Sequence, residues 1–253
     1  MTRPSVPAAT TRPELPRKIL AEFVGSTLLA ATVVGSGIAA QRLSPGDVGL
    51  QLLENALITG AVLVALILAL GPVSAAFNPV VTIAERAMGA ITTTSAIVLI
   101  TAQLAGCCLG VMLANLMFDL DAVTLSTRER AGGGLWLAEV VATFGLLLVI
   151  FGVVRSGHAR HVAYAVGAYI TAAYWFTSST SFANPAITVA RSLTDTFAGI
   201  APGSVGVFVL MQLLGGALGV AAVALLYPNV RRDTADEAVT GDRAPVAPGE
   251  ATA

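Results

Sequence analysis

Six apolar segments dominate the sequence, and each is close to the length of about 20 residues that a helix needs to cross a bilayer. They comprise residues 18–40, 50–70, 91–118, 135–154, 162–179 and 203–227. Only 11% of the residues are charged and 55% are hydrophobic, whereas a soluble domain carries about 25% charged residues. The sequence therefore predicts an all-α membrane protein with six transmembrane helices.

Polar stretches without apolar periodicity flank these segments at both ends of the chain. Residues 1–16 and 228–253 are predicted to be disordered tails, and residues 17–227 to form the membrane domain. Basic residues concentrate in the N-terminal tail, after the fourth segment and after the sixth. Because Lys and Arg favour the cytoplasmic side, we expect a multi-pass protein of the cell (inner) membrane with both termini in the cytoplasm.

The two halves of the chain, about 17–118 and 135–227, resemble each other in four features that recur in the same order. The matched pairs are Ala21-Glu22 with Ala138-Glu139, Gly60-Ala61 with Gly167-Ala168, Asn78-Pro79 with Asn184-Pro185, and Gln103 with Gln212. Each half has three spans, so the second must enter the membrane from the opposite face. This pattern predicts an inverted 3+3 repeat with its functional site near the midplane.

The two Asn-Pro pairs lie in connections that are too apolar for aqueous loops and too short for spans. Asn is a good helix N-cap, and Pro suits the first position of a helix. We therefore expect two reentrant half-helices whose positive N-terminal ends meet, repelling cations and favouring neutral solutes. The predicted pore centre consists of Asn78, Pro79, Val80, Asn184, Pro185 and Ala186.

Two carboxylates, Glu22 and Glu139, lie inside predicted spans, where a charge is costly and needs a partner. One interpretation is a proton relay of the kind found in transporters. The other is structural support, in which the carboxylates accept hydrogen bonds from backbone N–H groups of the reentrant segments. The repeat favours the structural role, in which Gln103 and Gln212 are expected to share.

The sequence contains no recognisable set of residues for catalysis, phosphate binding or metal binding, so we expect neither an enzyme nor a cofactor. The basic and acidic residues nearly cancel, with a formal net charge of −1, and nothing indicates a nucleic-acid partner. The expected partners are the lipid bilayer and small neutral solutes.

Taken together, the Asn-Pro boxes, the Ala-Glu pairs and the two Gln-containing spans resemble the aquaporin and aquaglyceroporin (major intrinsic protein) family over roughly residues 17–227. The resemblance implies a right-handed bundle of six spans with two half-helices, a homotetramer with one pore per subunit, and passive solute flow. Residues 174–191 also resemble the bacterial branch encoded beside arsenic-resistance genes.

Several positions depart from the family pattern. The first box continues with Val80 instead of Ala, and the usual His before Asn78 is absent, with one residue apparently missing there. Ile187 stands where the family normally has the Arg of its outer constriction, and Arg191, one turn later, is a candidate for the missing charge. By spacing, the resemblance places the remaining selectivity filter at Ser181, Ala172 and either Ile58 or Thr59.

A filter of small or aliphatic side chains without Arg is expected to be wide, which favours neutral metalloid hydroxides such as arsenous acid, glycerol-like polyols and water. Two alternatives remain open. One is a channel mainly for water, and the other is an ion-coupled secondary transporter that uses Glu22 or Glu139.

Overall fold

The computed structural model describes residues 14–228, and within this range all regular secondary structure is helical. The eight α-helices are α1 (Leu15–Leu43), α2 (Val48–Leu70), α3 (Pro79–Ala87), α4 (Thr93–Met117), α5 (Gly133–Arg155), α6 (Val162–Phe176), α7 (Pro185–Ala190) and α8 (Pro202–Leu226). The predicted tails lie outside the described residues, apart from their innermost positions, and α1 already begins at Leu15.

The six long helices correspond to the six predicted spans, with ends that differ by a few residues. Capping side chains set some of these ends: Asp47 accepts a hydrogen bond from the Leu50 N–H before α2, and Thr92 accepts one from Ser95 before α4. Five of the six helices are long and apolar enough to cross a membrane. The remaining helix, α6, is shorter at 15 residues, because the backbone becomes extended at Thr177 and leads towards α7.

Small residues bring the helices of each repeat into close contact. A Cβ atom at Gly106 on α4 would collide with the backbone carbonyl of Phe23 on α1, and one at Gly215 on α8 would collide with that of Val140 on α5. These two glycines hold equivalent positions in the two halves. The α1–α4 and α5–α8 pairs therefore use the same close crossing, as small residues in membrane helices allow.

The two repeats meet where α2 crosses α6. Gly60 and Gly167 face each other there, and a Cβ atom on Gly167 would lie 2.7 Å from the Gly60 carbonyl oxygen. The short helices α3 and α7 enter the bundle from its two sides and contact each other near its centre. The predicted architecture, six bundle helices with two half-helices in an inverted repeat, is thus confirmed.

Candidate functional site

The two Asn-Pro turns start the half-helices as their residue types dictate. Pro79 and Pro185 are the first residues of α3 and α7, where the missing N–H of proline costs no hydrogen bond. The Asn78 side-chain oxygen accepts from Val80 N at 3.0 Å, and that of Asn184 accepts from Ala186 N at 3.0 Å. Both Asn side chains are held as N-caps, with their amide nitrogens directed away from their own helices.

Those amide nitrogens join the two repeats. Asn78 Nδ2 donates to the Ala183 carbonyl and Asn184 Nδ2 donates to the Phe77 carbonyl, each at 2.7 Å. Phe77 and Ala183 both have φ of 47°, a left-handed conformation that non-glycine residues adopt only when their surroundings impose it. This backbone turns each carbonyl towards the opposite half-helix, so the two turns fix each other's position.

Glu22 supports the first turn through hydrogen bonds. Its two carboxylate oxygens accept hydrogen bonds from Ala76 N at 2.8 Å, Phe77 N at 2.7 Å and the Ser74 hydroxyl at 2.5 Å. Gln103 donates to the same carboxylate at 2.8 Å. A fully buried carboxylate with four donors is compensated for its loss of water, and its ligands are the backbone groups that the left-handed turn exposes.

Glu139 supports the second turn in the same way. It accepts from Phe182 N at 3.0 Å and Ala183 N at 2.9 Å, and Gln212 donates to it at 2.6 Å. Gln212 also donates to Thr188 in α7, just as Gln103 donates to Thr82 in α3. Glu22, Gln103, Glu139 and Gln212 are each 0% exposed. The geometry therefore favours structural support for all four residues.

A cavity runs past both Asn-Pro turns, and its lining mixes polar and aliphatic residues. The polar residues are the two Asn together with Thr59, Tyr174, Ser181, Arg191 and Glu85. The aliphatic residues include Leu63, Ile67, Ile150, Val166 and Ile170. Such a lining offers both hydrogen bonds and apolar contacts, which suits a small solute with both carbon and hydroxyl groups.

Three of the expected filter residues, Thr59, Ser181 and Ile187, are buried and line this cavity. Thr59 Oγ1 lies 3.2 Å from the Tyr174 hydroxyl. The Ser181 hydroxyl is buried without a hydrogen-bond partner in the described residues, and is therefore available to a solute. Of the two alternatives on α2, Thr59 is in the cavity lining, whereas Ile58 is 44% exposed on the outer face of the helix.

Ala172, which the spacing places in the filter, lies on the exposed face of α6 and is not among the residues that line this cavity. Two residues further along the helix, which is about 200° of rotation, Tyr174 points inwards and lines the cavity instead. The cavity lining therefore includes a bulky aromatic residue beside the small and aliphatic side chains expected for the filter.

Arg191 is the residue that the sequence offers as a candidate for the missing charge, one turn after Ile187. The half-helix α7 ends at Ala190 and continues as a 3₁₀ turn through Arg191–Leu193, which brings the Arg191 side chain into the cavity lining. The side chain is 3% exposed, its Nε donates to the Ala198 carbonyl, and its Cζ lies 3.5 Å from the centre of the Phe182 ring. Ile187 and Arg191 thus both face the cavity, one turn apart.

Val80, expected at the pore centre, is buried but faces away from the cavity. It packs against Gly216 on α8, where a Cβ atom would collide with Val80 Cγ1. The missing side chain of Gly216 makes room for the extra methyl groups of Val80. The departure from Ala in the first box is therefore accommodated at the contact between α3 and α8.

Comparison with known proteins agrees with this geometry. Residues 9–161 match the family described as major intrinsic protein, which is more than half of the chain. The chain belongs to the major intrinsic protein family. It is 46% identical over 219 residues to the aquaglyceroporin AqpS of Rhizobium meliloti (strain 1021), an alignment that covers 86% of this chain and 93% of the relative.

A solved aquaglyceroporin structure shares the fold. The X-ray structure of the aquaglyceroporin from Plasmodium falciparum matches with a TM-score of 0.63 at 20% identity, covering 86% of this chain and 97% of that chain. Membership of the family identifies the chain as a passive membrane channel for small uncharged solutes rather than an enzyme. The transporter alternative is set aside, because Glu22 and Glu139 are engaged in hydrogen bonds and neither lines the cavity.

Sequence analysis missed three residues around the outer part of this cavity: Tyr174, Phe182 and Arg130. Arg130 belongs to the loop between the third and fourth spans, but it is only 8% exposed and its Cζ lies 4.8 Å from the Phe182 ring centre. Tyr174 could have been found from the sequence, because it lies within the apolar fifth span of this major intrinsic protein, now helix α6. Arg130 could not, because its burial depends on contacts with residues that are distant in the sequence.

Proposed function

We propose that the channel passes small neutral polyhydroxyl solutes, namely glycerol-like polyols and undissociated arsenous acid, together with water. The observation that carries this proposal is the mixed lining of the cavity, which combines hydroxyl and amide groups with aliphatic side chains. A polyol or a metalloid hydroxide can exchange its water for hydrogen bonds with the polar residues of the lining, while its apolar surface contacts Leu and Ile.

The pore centre of this proposal lies at the two Asn-Pro turns, and the outer constriction at Thr59, Tyr174, Ser181, Ile187 and Arg191. The turns bring two helix N-termini together, and their positive partial charge opposes cations. At the constriction, the unpartnered Ser181 hydroxyl and the Arg191 guanidinium offer hydrogen bonds to a passing solute, while Ile187 supplies an apolar wall.

A second candidate, a channel mainly for water, is favoured by the side chains of Tyr174 and Arg191 in the cavity lining. Both are large, and an Arg in the lining offers several hydrogen-bond donors to water. The two candidates differ in what else passes. A strict water channel retains glycerol and arsenous acid, whereas the proposed channel conducts all three.

Flux through reconstituted protein tests the proposal. Proteoliposomes are exposed to osmotic steps of sucrose, glycerol or arsenite near neutral pH, and volume changes are followed by light scattering, with entrapped arsenic measured directly. We expect glycerol and arsenite to enter far faster than in empty liposomes. Fast water flow with both solutes retained would establish the water channel instead, and no flow of any solute would contradict both candidates.

We further propose that the protein is a homotetramer in the cell (inner) membrane with both termini in the cytoplasm. Basic residues support this orientation: Arg17 and Lys18 lie in the first turn of α1, and Arg155 and Arg160 flank the connection from α5 to α6 on the same side. Labelling of single introduced cysteines with a membrane-impermeant reagent in intact cells tests the orientation. Light scattering of the detergent-solubilised protein tests the tetramer.

A further inference from the structure

Arg130 is a buried cation beside the proposed outer constriction, although it belongs to the loop between α4 and α5. Its Nε donates to the Gly199 carbonyl at 2.9 Å, and its Nη1 approaches the Ser179 carbonyl at 3.4 Å. Its own N–H is bound by the Ser204 hydroxyl at 3.0 Å. These contacts hold a loop residue against the bundle with 8% of its surface exposed.

Phe182 links Arg130 to the cavity. The Phe182 ring lines the cavity, with Arg191 Cζ 3.5 Å and Arg130 Cζ 4.8 Å from its centre. The ring is fixed by Phe208, whose centre lies 5.3 Å away in an edge-to-face arrangement, and by the Phe182 N–H bond to Glu139. The guanidinium groups of Arg191 and Arg130 thus contact the same aromatic ring. Of these two residues, Arg191 is in the cavity lining and Arg130 is not.

Neither guanidinium is neutralised by a hydrogen-bonded carboxylate within residues 14–228. The hydrogen bonds of both groups go to backbone carbonyls, of Ala198 for Arg191 and of Gly199 and Ser179 for Arg130. Burial above all, followed by repulsion from Arg191 and Arg128, lowers the pKa of Arg130 to about 9. The group therefore still carries its charge near pH 7 and adds to the field of Arg191.

We propose that Arg130 is a specificity-determining residue of the channel, whose charge acts through Phe182 and Arg191 to exclude protons and other cations at the outer constriction. It does not touch the solute, so neutral solutes pass without regard to its charge. The inference rests on the proposed constriction, which places Arg191 and Phe182 at the point of selection. It adds a second cation, supplied by a distant loop, to the single Arg of that constriction.

The size of the effect follows from Coulomb's law. At an effective dielectric constant of about 20, a unit charge roughly 10 Å away changes the local concentration of a monovalent cation by on the order of tenfold. The converging helix ends at the Asn-Pro turns form a separate barrier. Loss of the Arg130 charge is therefore expected to raise the leak about tenfold and not to remove all discrimination.

The test compares proton leak with glycerol flux in the same proteoliposomes. Leak is driven by an inside-negative potential and followed with an entrapped pH dye. In Arg130→Gln we expect leak to rise on the order of tenfold, while glycerol flux stays near wild type. In Arg130→Lys, which keeps the charge, both quantities should stay near wild type. If Arg130→Gln does not fold, Arg130→Met takes its place as the neutral variant, because it preserves an apolar stem beside Phe182. We expect the same rise in leak from it.

Arg128→Gln is the matched control. Arg128 lies on the same loop, donates to the Phe197 carbonyl at 2.8 Å and has its Cζ 5.4 Å from the Phe197 ring, but its side chain is exposed and outside the cavity lining. Because the exposed Arg128 charge is screened by solvent, its variant is expected to leak much less than Arg130→Gln. Equal leak in Arg128→Gln and Arg130→Gln, or in Arg130→Lys and Arg130→Gln, would overturn a specific role for the Arg130 charge.

Arg191→Gln separates this inference from the proposed constriction. If Arg191→Gln leaks and neither neutral variant of Arg130 does, the constriction stands and the role of Arg130 is overturned. If Arg191→Gln does not leak either, the constriction itself is misplaced and the inference falls with it. Loss of glycerol flux without leak in folded Arg130→Gln and Arg130→Met would identify a purely structural residue and likewise overturn the inference.

Discussion

The two half-helix turns are built alike around their backbone but differently in their side chains. Glu22 and Glu139 accept equivalent N–H groups, and the two Asn residues exchange equivalent bonds across the centre. The aromatic residue, however, stands one position before the Asn in the first turn and two positions before it in the second. In the first turn it is Phe77, whose ring is buried against Gly25, and in the second it is Phe182, whose ring contacts Arg191 and Arg130, although both residues line the cavity.

This difference separates the frame of the channel from its selectivity. Features that the repeats share hold the turns in place and bring the helix ends together. Features that only one repeat has surround the proposed constriction: the Phe182 ring, the 3₁₀ continuation to Arg191 and the buried Arg130. In an inverted repeat the shared features lie near the midplane, so the unshared ones distinguish one mouth of the pore from the other.

The largest effect is expected when the shared frame is broken. Glu22→Gln and Glu139→Gln keep the side-chain volume but place an NH₂ group against backbone N–H donors. A buried charged hydrogen bond contributes about 1.5–3 kcal/mol, and each change removes more than one, so we expect about 3 kcal/mol or more of destabilisation in either variant. Thermal unfolding of the detergent-solubilised protein and the yield of monodisperse protein measure this loss.

Glu129→Gln, in the exposed loop between α4 and α5, is the control for this pair and should unfold like wild type. The comparison of the repeats predicts similar losses for Glu22 and Glu139. A variant at either position with wild-type stability would mean that the two turns are not held by the same bonds.

A smaller effect, on selectivity and not on folding, is expected from Ile187→Arg in the unshared region. Ile187 lines the cavity one turn before Arg191, so a second guanidinium would narrow the constriction and replace its apolar wall. We expect glycerol and arsenite flux to fall by about tenfold or more, as a change in pocket contacts worth 1–3 kcal/mol allows, with a smaller loss of water flux. The flux assay described above measures all three.

Ile187→Val, which keeps an aliphatic wall, should conduct all three solutes as wild type does. An equal loss of water, glycerol and arsenite flux in Ile187→Arg would indicate misfolding or a constriction located elsewhere. Correct folding of the variant is checked by its unfolding temperature, which is expected to stay close to that of wild type.

The features that both repeats share could largely be predicted from the sequence, whereas those found in one repeat only could not. The spans and half-helices are local patterns of apolar residues, Asn and Pro, and the roles of Glu22 and Gln103 are repeated in the second half. Spacing alone places Ala172 in the filter, whereas Tyr174, two residues further along the helix and on its opposite side, is the residue in the cavity lining. Arg130 could not be found by pattern, since Ser204 and Gly199, which bury it, are about 70 residues away.

The smallest effect is expected at Val80, where the first box departs from Ala. Val80 Cγ1 occupies space that Gly216 leaves open and is absent from the cavity lining. Val80→Ala should therefore leave the flux of water and glycerol unchanged and lower stability by only about 1 kcal/mol through the void that it creates. Gly216→Ala alone should destabilise through the collision with Val80, by about 1–3 kcal/mol.

The double variant Val80→Ala, Gly216→Ala decides whether these two residues compensate each other. If the volume lost at Val80 makes room for the new Cβ at Gly216, the double variant should be more stable than the sum of the single losses implies, because residues in contact are not additive. Additive losses would mean that Gly216 is required by another neighbour. A change in solute flux in Val80→Ala would instead place this position in the pore, and the difference between the two boxes would then belong to selectivity.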